Sequence, residues 1–223
     1  STSRGLGDVY KRQLEPGACV LPTGEKTGYD FDGWYEAKKD IGTASHKLNA
    51  LSIAKKWELY GRYTAKTDVS YTVKYLREGD NKVLAPEKVV TDQTFDTEVT
   101  EQAADVVGYT PDAPSKTMIL DEYNKVLTFS YSANTYDYTV RHIKQLPDGS
   151  YDEANAEVET LSGKFEALAV VTAKDYGSHY PTNDADTKQN IKIEEGLTID
   201  VKYDLDEHTL TFETNGGSAI NPV

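Results

Sequence analysis

Two stretches of this 223-residue chain repeat one another, and this repetition is the strongest constraint on its fold. Tyr71–Tyr75 (YTVKY) returns 67 residues later as Tyr138–His142 (YTVRH). The further matches are Tyr109 with Tyr176, Phe95 with Phe165, and Leu127, Phe129 and Tyr131 with Ile199, Val201 and Tyr203. Matches that recur in the same order at a similar spacing are typical of tandem modules. The chain is therefore predicted to be divided among small modules.

The repeated stretches have the alternation of a half-buried β-strand. Tyr71, Val73 and Tyr75 fall on one face of such a strand, and the polar residues between them fall on the other. Two amphipathic stretches, Glu98–Val107 and Phe165–Lys174, are candidates for one short helix in each copy. We therefore expect a mainly β fold, α+β at most, made of small modules strung end to end.

Composition excludes several classes of protein. The formal net charge of −13 and the pI of about 4.7 argue against nucleic-acid binding, which usually requires a basic face. No apolar run approaches the roughly 18 residues of a membrane span, so no membrane insertion is expected. Cys19 is the single cysteine, which excludes a disulfide scaffold. The acidic excess is typical of a solvated surface, and a monomer is expected.

The sequence contains no recognisable catalytic constellation. The four histidines are far apart, and there is no nucleophile elbow, phosphate loop or zinc signature. We therefore predict no enzyme activity, no catalytic residues, no metal site and no cofactor. Two further sites stay open: a Ca²⁺ site at Asn183–Asp186 or Asp204–Glu207, and an isopeptide cross-link from a strand lysine such as Lys74 or Lys202.

A sugar-binding site would need an exposed aromatic side chain flanked by polar groups. The candidate ligand-binding residues are Tyr75, Tyr109, Tyr176 and Tyr180. For Tyr109 and Tyr176 a structural role in the module core is the competing interpretation. Trp34, which lies among other aromatic residues, is interpreted as a core residue.

Residues 69–133 resemble a mucin-binding-protein-type repeat of Gram-positive surface proteins. The residues that carry this resemblance are Tyr71–Tyr75, Leu84-Ala85-Pro86, Val107–Thr110 and Leu127–Tyr131. Residues 136–205 are similar to a divergent second copy, which has Asp175-Tyr176-Gly177 in place of Gly-Tyr and lacks the Ala-Pro. The resemblance implies compact β-grasp-like modules on a cell surface.

Residues 14–66 resemble the C-terminal part of a Listeria–Bacteroides repeat, also called the internalin B-repeat. Gly28–Tyr35 (GYDFDGWY) carries the resemblance, and Trp57–Tyr63 is similar to that family's closing strand. The tail 208–223 is similar to the opening strand and turn of a further, truncated repeat. The segment 1–13 is interpreted as disordered or adapter-derived, because Asp8–Gln13 resembles a translated sequencing-adapter end.

These resemblances imply a non-enzymatic repeat region of an extracellular adhesin on a bacterial cell surface or cell wall. Two hypotheses remain open. In the first, the modules space another domain and also bind host mucin, its glycans or another extracellular ligand. In the second, they form a purely structural stalk with no ligand. The short segment between residues 132 and 137 predicts a stiff connection between neighbouring modules.

Overall fold

The computed structural model describes residues 19–35, 47–48, 58–182 and 190–221. The regular structure in these ranges is almost entirely β, which confirms the prediction of a mainly β fold of tandem modules. The predicted segment 1–13 and the Ca²⁺ candidate Asn183–Asp186 lie outside the described residues. The described strands are β1 (Cys19–Val20), β2 (Tyr29–Tyr35), β3 (Lys47–Leu48), β4 (Tyr60–Ala65), β5 (Val69–Arg77), β6 (Val83–Gln93), β7 (Glu98–Gln102), β8 (Tyr109–Pro111), β9 (Ser115–Ile119), β10 (Lys125–Ala133), β11 (Thr135–Lys144), β12 (Glu157–Lys164), β13 (His179–Pro181) and β14 (Thr198–Leu205).

Two four-stranded sheets organise the described chain. One has the strand order β6-β5-β10-β8 and the other has the order β12-β11-β14-β13. In the second sheet, β11 pairs antiparallel with β12 and parallel with β14. Three two-stranded sheets complete the architecture: β1 with β3, β2 with β4, and β7 with β9. The same order of strands thus occurs twice, as the internal repeat predicts.

The described residues fall into two compact units. The first unit consists of the described residues up to Leu76, together with Asn81–Ala104 and Ala113–Ser130. The second takes in Arg77–Asp80, Asp105–Asp112 and the chain from Tyr131 onward. The predicted module boundaries at 69–133 and 136–205 stay predictions.

The core of each sheet comes from the predicted alternation. Along β5, Val69, Tyr71, Val73 and Tyr75 are buried, while the residues between them are partly exposed. Along β11 the corresponding buried residues are Tyr138, Val140 and His142, 67 residues further on. The neighbouring strands β10 and β14 contribute Leu127, Phe129 and Tyr131 and, in the second sheet, Ile199, Val201 and Tyr203. The matched residues therefore have matched positions in the two cores.

The two-stranded β2–β4 sheet holds aromatic residues of the first predicted module. Trp34 is buried, its indole N–H donates to the Pro22 carbonyl (2.7 Å), and its ring meets Phe31 edge to face at 5.4 Å. The interpretation of Trp34 as a core residue is therefore confirmed. The register shifts between Phe31 and Gly33, which marks a β-bulge.

Both helix candidates are wrong. Glu98–Gln102 is strand β7, which pairs with β9, and no helix follows it in Ala103–Val107. Phe165–Lys174 holds a turn and a single bridge, Leu168 with Lys192. Each candidate follows or contains an acidic residue with a positive φ, Asp96 at 65° and Glu166 at 62°. That backbone conformation turns the chain sharply at the start of each stretch, and the strand pairing then supplies the hydrogen bonds that a helix would have made.

The match of Tyr109 with Tyr176 is also wrong. In the first four-stranded sheet Tyr109 pairs with Ala133 near the end of β10. In the second sheet it is His179 that pairs with Leu205, at the corresponding end of β14. Strand pairing therefore makes His179 the counterpart of Tyr109, three residues beyond the sequence match.

Candidate functional site: a joint that occurs twice

The same small constellation of residues occurs once in each compact unit, and we call it a joint. The first joint consists of Gly28, Tyr29, Lys66, Phe95 and Asp96. The second joint consists of Gly108, Tyr109, Asn134, Phe165 and Glu166. In each case a glycine–tyrosine turn is joined through one linker residue to a turn that carries phenylalanine and an acidic residue.

Backbone hydrogen bonds form the frame of each joint. The Lys66 N–H donates to the Gly28 carbonyl (2.9 Å), and the Lys66 carbonyl accepts from the Phe95 N–H (2.8 Å). The Asn134 N–H donates to the Gly108 carbonyl at the same distance, 2.9 Å. The Asn134 carbonyl accepts from the Phe165 N–H, again at 2.8 Å. Both backbone groups of the linker residue are therefore engaged, which fixes the chain at that point.

Aromatic packing fills each joint. The rings of Tyr29 and Phe95 meet edge to face, with centroids 5.6 Å apart and an interplanar angle of 71°. Tyr109 and Phe165 have the same arrangement at 5.5 Å and 87°. Edge-to-face pairs at this spacing are favourable beyond the area that they bury.

The glycine before each tyrosine is required on two grounds. Gly28 and Gly108 have φ values of 77° and 79°, in the left-handed region. A Cβ atom at Gly28 would collide with the ring of Phe95, and one at Gly108 would collide with the ring of Phe165. The ring thus lies directly against the backbone of the turn.

The tyrosine hydroxyl connects each turn to the acidic residue of the facing turn. Tyr29 donates to Asp96 Oδ2 at 2.6 Å, and Tyr109 donates to Glu166 Oε2 at 3.0 Å. The hydrogen bond to Asp96 raises the pKa of Tyr29 above its usual value. The backbone N–H of Asp96 donates to Leu120 and that of Glu166 to Ile193, each at 2.9 Å.

The second joint contains an additional cation. Arg77 donates to the Tyr109 hydroxyl at 3.3 Å and lies 3.6 Å from Glu166 Oε2. Its Nε also donates to Asp80 at 2.9 Å. Hydrogen bonds to Asp80 and Tyr109 raise the pKa of the Arg77 guanidinium, so it stays charged and holds the hydroxyl and the carboxylate together.

The end of β14 repeats part of this arrangement. The Asp206 N–H donates to the Ser178 carbonyl at 2.9 Å, as Lys66 and Asn134 do to their glycines. Ser178 replaces the glycine, and His179 replaces the tyrosine. The His179 ring is bound within its own unit, since Nδ1 contacts Ser178 Oγ and Nε2 contacts the Gln145 carbonyl, both at 2.9 Å. The described chain therefore repeats one of the two backbone hydrogen bonds of the joint a third time, without the aromatic pair.

The four tyrosines predicted to bind a ligand lie in different environments. Tyr75 lies in the first unit, where it is buried and stacked on Phe129 at 6.0 Å. The other three lie in the second unit. Tyr109 is buried in the second joint, and the Tyr176 hydroxyl donates to Glu157 at 2.7 Å. Tyr180, on β13, is 52% exposed and presents the most surface of the four. Their role in ligand binding stays a prediction.

Neither a metal centre nor a membrane helix is found in the described part of the chain. No group of three or more His, Cys, Asp or Glu residues there could hold a metal ion. No helix in those residues has the length and apolar character needed to cross a membrane. Of the two lysines considered for a cross-link, Lys202 lies over the ring of Tyr151, with Nζ 4.8 Å from its centroid.

Distant structural likenesses of this chain include two bacterial proteins. No protein-family model and no curated protein matches the chain. The structure is similar to the TIE protein of Bacillus anthracis, with 10% identity and a TM-score of 0.35 over 84% of this chain. The match covers 52% of the TIE chain, so this chain spans about half of its length. It is also similar to domains 3-4 of streptococcal high identity repeats in tandem from a cell surface protein, with 14% identity and a TM-score of 0.23, over 61% of this chain and 98% of that one.

The sequence matches identify the glycine–tyrosine pairs and the two phenylalanines as separate features. They do not predict that these residues meet, because Gly28 and Phe95 are 67 residues apart. The signal that could have connected them is that both residues recur, as Gly108 and Phe165.

Proposed function

We propose that this chain is part of the repeat region of an extracellular bacterial surface protein, in which non-enzymatic β modules act as spacers. The observation that carries the proposal is the joint made twice with the same hydrogen bonds and the same aromatic pair. A spacer must hold consecutive modules in a defined geometry, because a free linker would let them collapse on one another. A linker residue with both backbone groups bonded meets that requirement.

The extracellular location is supported by the sequence. The resemblances of residues 14–66 and 69–133 are to repeats of bacterial surface proteins. The acidic excess keeps solvent-exposed modules apart, and the single cysteine is compatible with modules that fold without disulfides.

The spacer proposal is tested by measuring a distance across the second joint. Asp112 and Glu195 are exposed and both belong to the second unit. Spin labels at Cys19→Ser/Asp112→Cys/Glu195→Cys report the distribution of distances between them. We expect a narrow distribution that broadens in Phe165→Ala and in the milder Phe165→Leu. Tyr180→Ala, which removes an exposed aromatic residue outside the joint, serves as the matched control and should leave the width unchanged.

A broad distribution in the parent chain would overturn the proposal. The same conclusion would follow if Phe165→Ala, still folded by circular dichroism, kept the width of the parent. In either case the joint would contribute to packing but would not fix the geometry of consecutive modules.

Binding of mucin glycans is a second candidate, favoured by the exposure of Tyr180 alone. A tyrosine that is half exposed on an edge strand can stack on a sugar ring. Capture of the chain on purified mucin should be lost in Tyr180→Ala and kept in Tyr123→Ala, whose side chain is 40% exposed in the first unit. Failure of the parent chain to bind mucin or a glycan array would leave spacing as the function.

A further inference from the structure

An ion pair occurs at corresponding places in the two units, with its charges exchanged. In the first unit Lys88 Nζ lies 2.8 Å from Glu101 Oε2. In the second unit Lys174 Nζ lies 2.6 Å from Glu159 Oε1. Each pair connects the outer strand of a four-stranded sheet, β6 or β12, to the segment that follows the phenylalanine turn.

Strand register establishes that the two positions on the outer strands correspond. Lys88 lies opposite Val73 on β5, and Glu159 lies opposite Val140 on β11. Val73 and Val140 are the central residues of the repeated five-residue motif, 67 residues apart. The base is therefore on the outer strand in one unit, and the acid is on the outer strand in the other.

Each pair is supported by further polar contacts. Glu101 is only 8% exposed and also accepts from the Tyr71 hydroxyl at 2.6 Å. Burial opposes its ionisation, yet the hydrogen bonds from Lys88 and Tyr71 hold the pKa of Glu101 below its usual value. Lys174 also contacts Glu157 at 2.5 Å, and hydrogen bonds to Glu157 and Glu159 raise the pKa of Lys174. Glu101 and Lys174 are therefore charged at neutral pH.

The apolar cores, by contrast, scarcely distinguish the two units. Tyr71 corresponds to Tyr138, Val73 to Val140, and Leu127 to Ile199, and all six residues are buried. Neighbouring modules with similar cores are prone to exchange equivalent segments during folding, which is a characteristic failure of tandem repeats. These buried faces do little to oppose such an exchange, so polar contacts can supply the discrimination.

We propose that the opposite polarity of these two ion pairs prevents exchange between the Glu101 segment of one unit and the Lys174 segment of the other. After an exchange, Glu101 would face Glu159, and Lys174 would face Lys88. Two attractive contacts would become two repulsive ones, and the Glu101 carboxylate would be buried without its cation. The native pairing of segments is thereby favoured over the exchanged one.

Repeated unfolding and refolding of single molecules in optical tweezers can count exchanged molecules. We expect a native molecule to unfold its two units in separate steps, and an exchanged molecule to unfold them in one step with the combined gain in contour length. All variants carry Glu157→Gln, so that no carboxylate at 157 biases the comparison, while the amide can still accept from Tyr176. In this background, Lys88→Glu/Glu101→Lys gives both units the same polarity and should raise the exchanged fraction about tenfold.

Two further variants separate polarity from the integrity of either pair. Glu159→Lys/Lys174→Glu reverses the ion pair of the second unit, so that both units again have the same polarity. It should also raise the exchanged fraction. The combination of all four charge reversals makes the polarities opposite again and should return the fraction to that of the parent. An unchanged fraction in both double variants would overturn the proposal, as would a fourfold reversal that exchanges as often as the doubles.

Discussion

The aromatic ring of Phe95 fills the space into which a Cβ atom on Gly28 would project. Phe165 has the same relationship to Gly108, in the other unit. In each pair the ring packs directly against the backbone of a residue far away in the sequence, and this is possible because that residue is glycine and has no side chain. This fit makes the joint sensitive to substitutions that an exposed turn would tolerate.

Gly108→Ala is expected to destabilise the second unit well beyond the cost of its backbone conformation. Gly196 is a matched control, since its φ of 75° is close to the 79° of Gly108 and nothing lies near its missing Cβ. Alanine in this region costs about 1–2 kcal/mol at either position. The collision with Phe165 should add about 1–3 kcal/mol at Gly108 only. Urea unfolding of both variants measures the difference, and equal losses would show that the ring yields without strain.

The hydroxyl of Tyr109 and the carboxylate of Glu166 should be energetically coupled. A double-mutant cycle with Tyr109→Phe and Glu166→Gln is expected to give about 0.5–1.5 kcal/mol, the range of a partly buried hydrogen bond. The corresponding cycle with Tyr29→Phe and Asp96→Asn should give a smaller value, because that bond is exposed. Additive effects at Tyr109 and Glu166 would mean that the ring pair alone holds the joint.

Glu101 should make the first unit sensitive to acid. Although burial opposes its ionisation, hydrogen bonds from Lys88 and Tyr71 hold its pKa below the usual 4.5. A depressed pKa contributes stability that is present above pH 4.5 and is lost as the pH falls through the lowered value. Glu101→Gln should therefore be less stable than the parent at pH 7, and the difference should shrink at pH 3. Glu98→Gln, at an exposed position on the same strand, should show little difference at either pH.

His142 should add a second pH dependence, in the second unit. Burial lowers its pKa below 6.5, although Glu159 acts in the opposite direction. Since the folded state favours the neutral ring, this residue contributes stability above pH 6.5 that is lost as the pH falls below that value. His142→Tyr introduces the residue found at the corresponding Tyr75. Denaturation at pH 7.5 and 5.5 should show a smaller loss on acidification in the variant, and an unchanged loss would place the sensitive group elsewhere.

The strands were predictable from the sequence because alternation is a local property. The alternation of Tyr71, Val73 and Tyr75 predicts one buried face, whichever strands pair with β5. The helix candidates failed because the stretch from Glu98 is amphipathic under either period, and a positive φ at Asp96 with pairing to β9 decided in favour of a strand. Local sequence does not contain that pairing.

The joint and the counterpart of Tyr109 could not be predicted, because both depend on contacts between distant residues. The sequence match selects Tyr176 by residue type, whereas the hydrogen-bonded register with β14 selects His179. Likewise, nothing near Gly28 indicates that a ring 67 residues away will lie against it. Matching residue types suggest which positions of the two copies correspond, but the strand register determines the actual correspondence.

The linker residues Lys66 and Asn134 use both of their backbone groups in a joint, and a backbone group is the same in every amino acid except proline. A gene for such a chain can therefore be lengthened by copies of the predicted repeat 69–133, because this stretch carries both a phenylalanine turn, at Phe95, and a glycine–tyrosine turn, at Gly108 and Tyr109. Duplication of this repeat would give each new boundary both of these turns. The reach of such a protein is thus a quantity that natural selection can adjust in steps of one repeat.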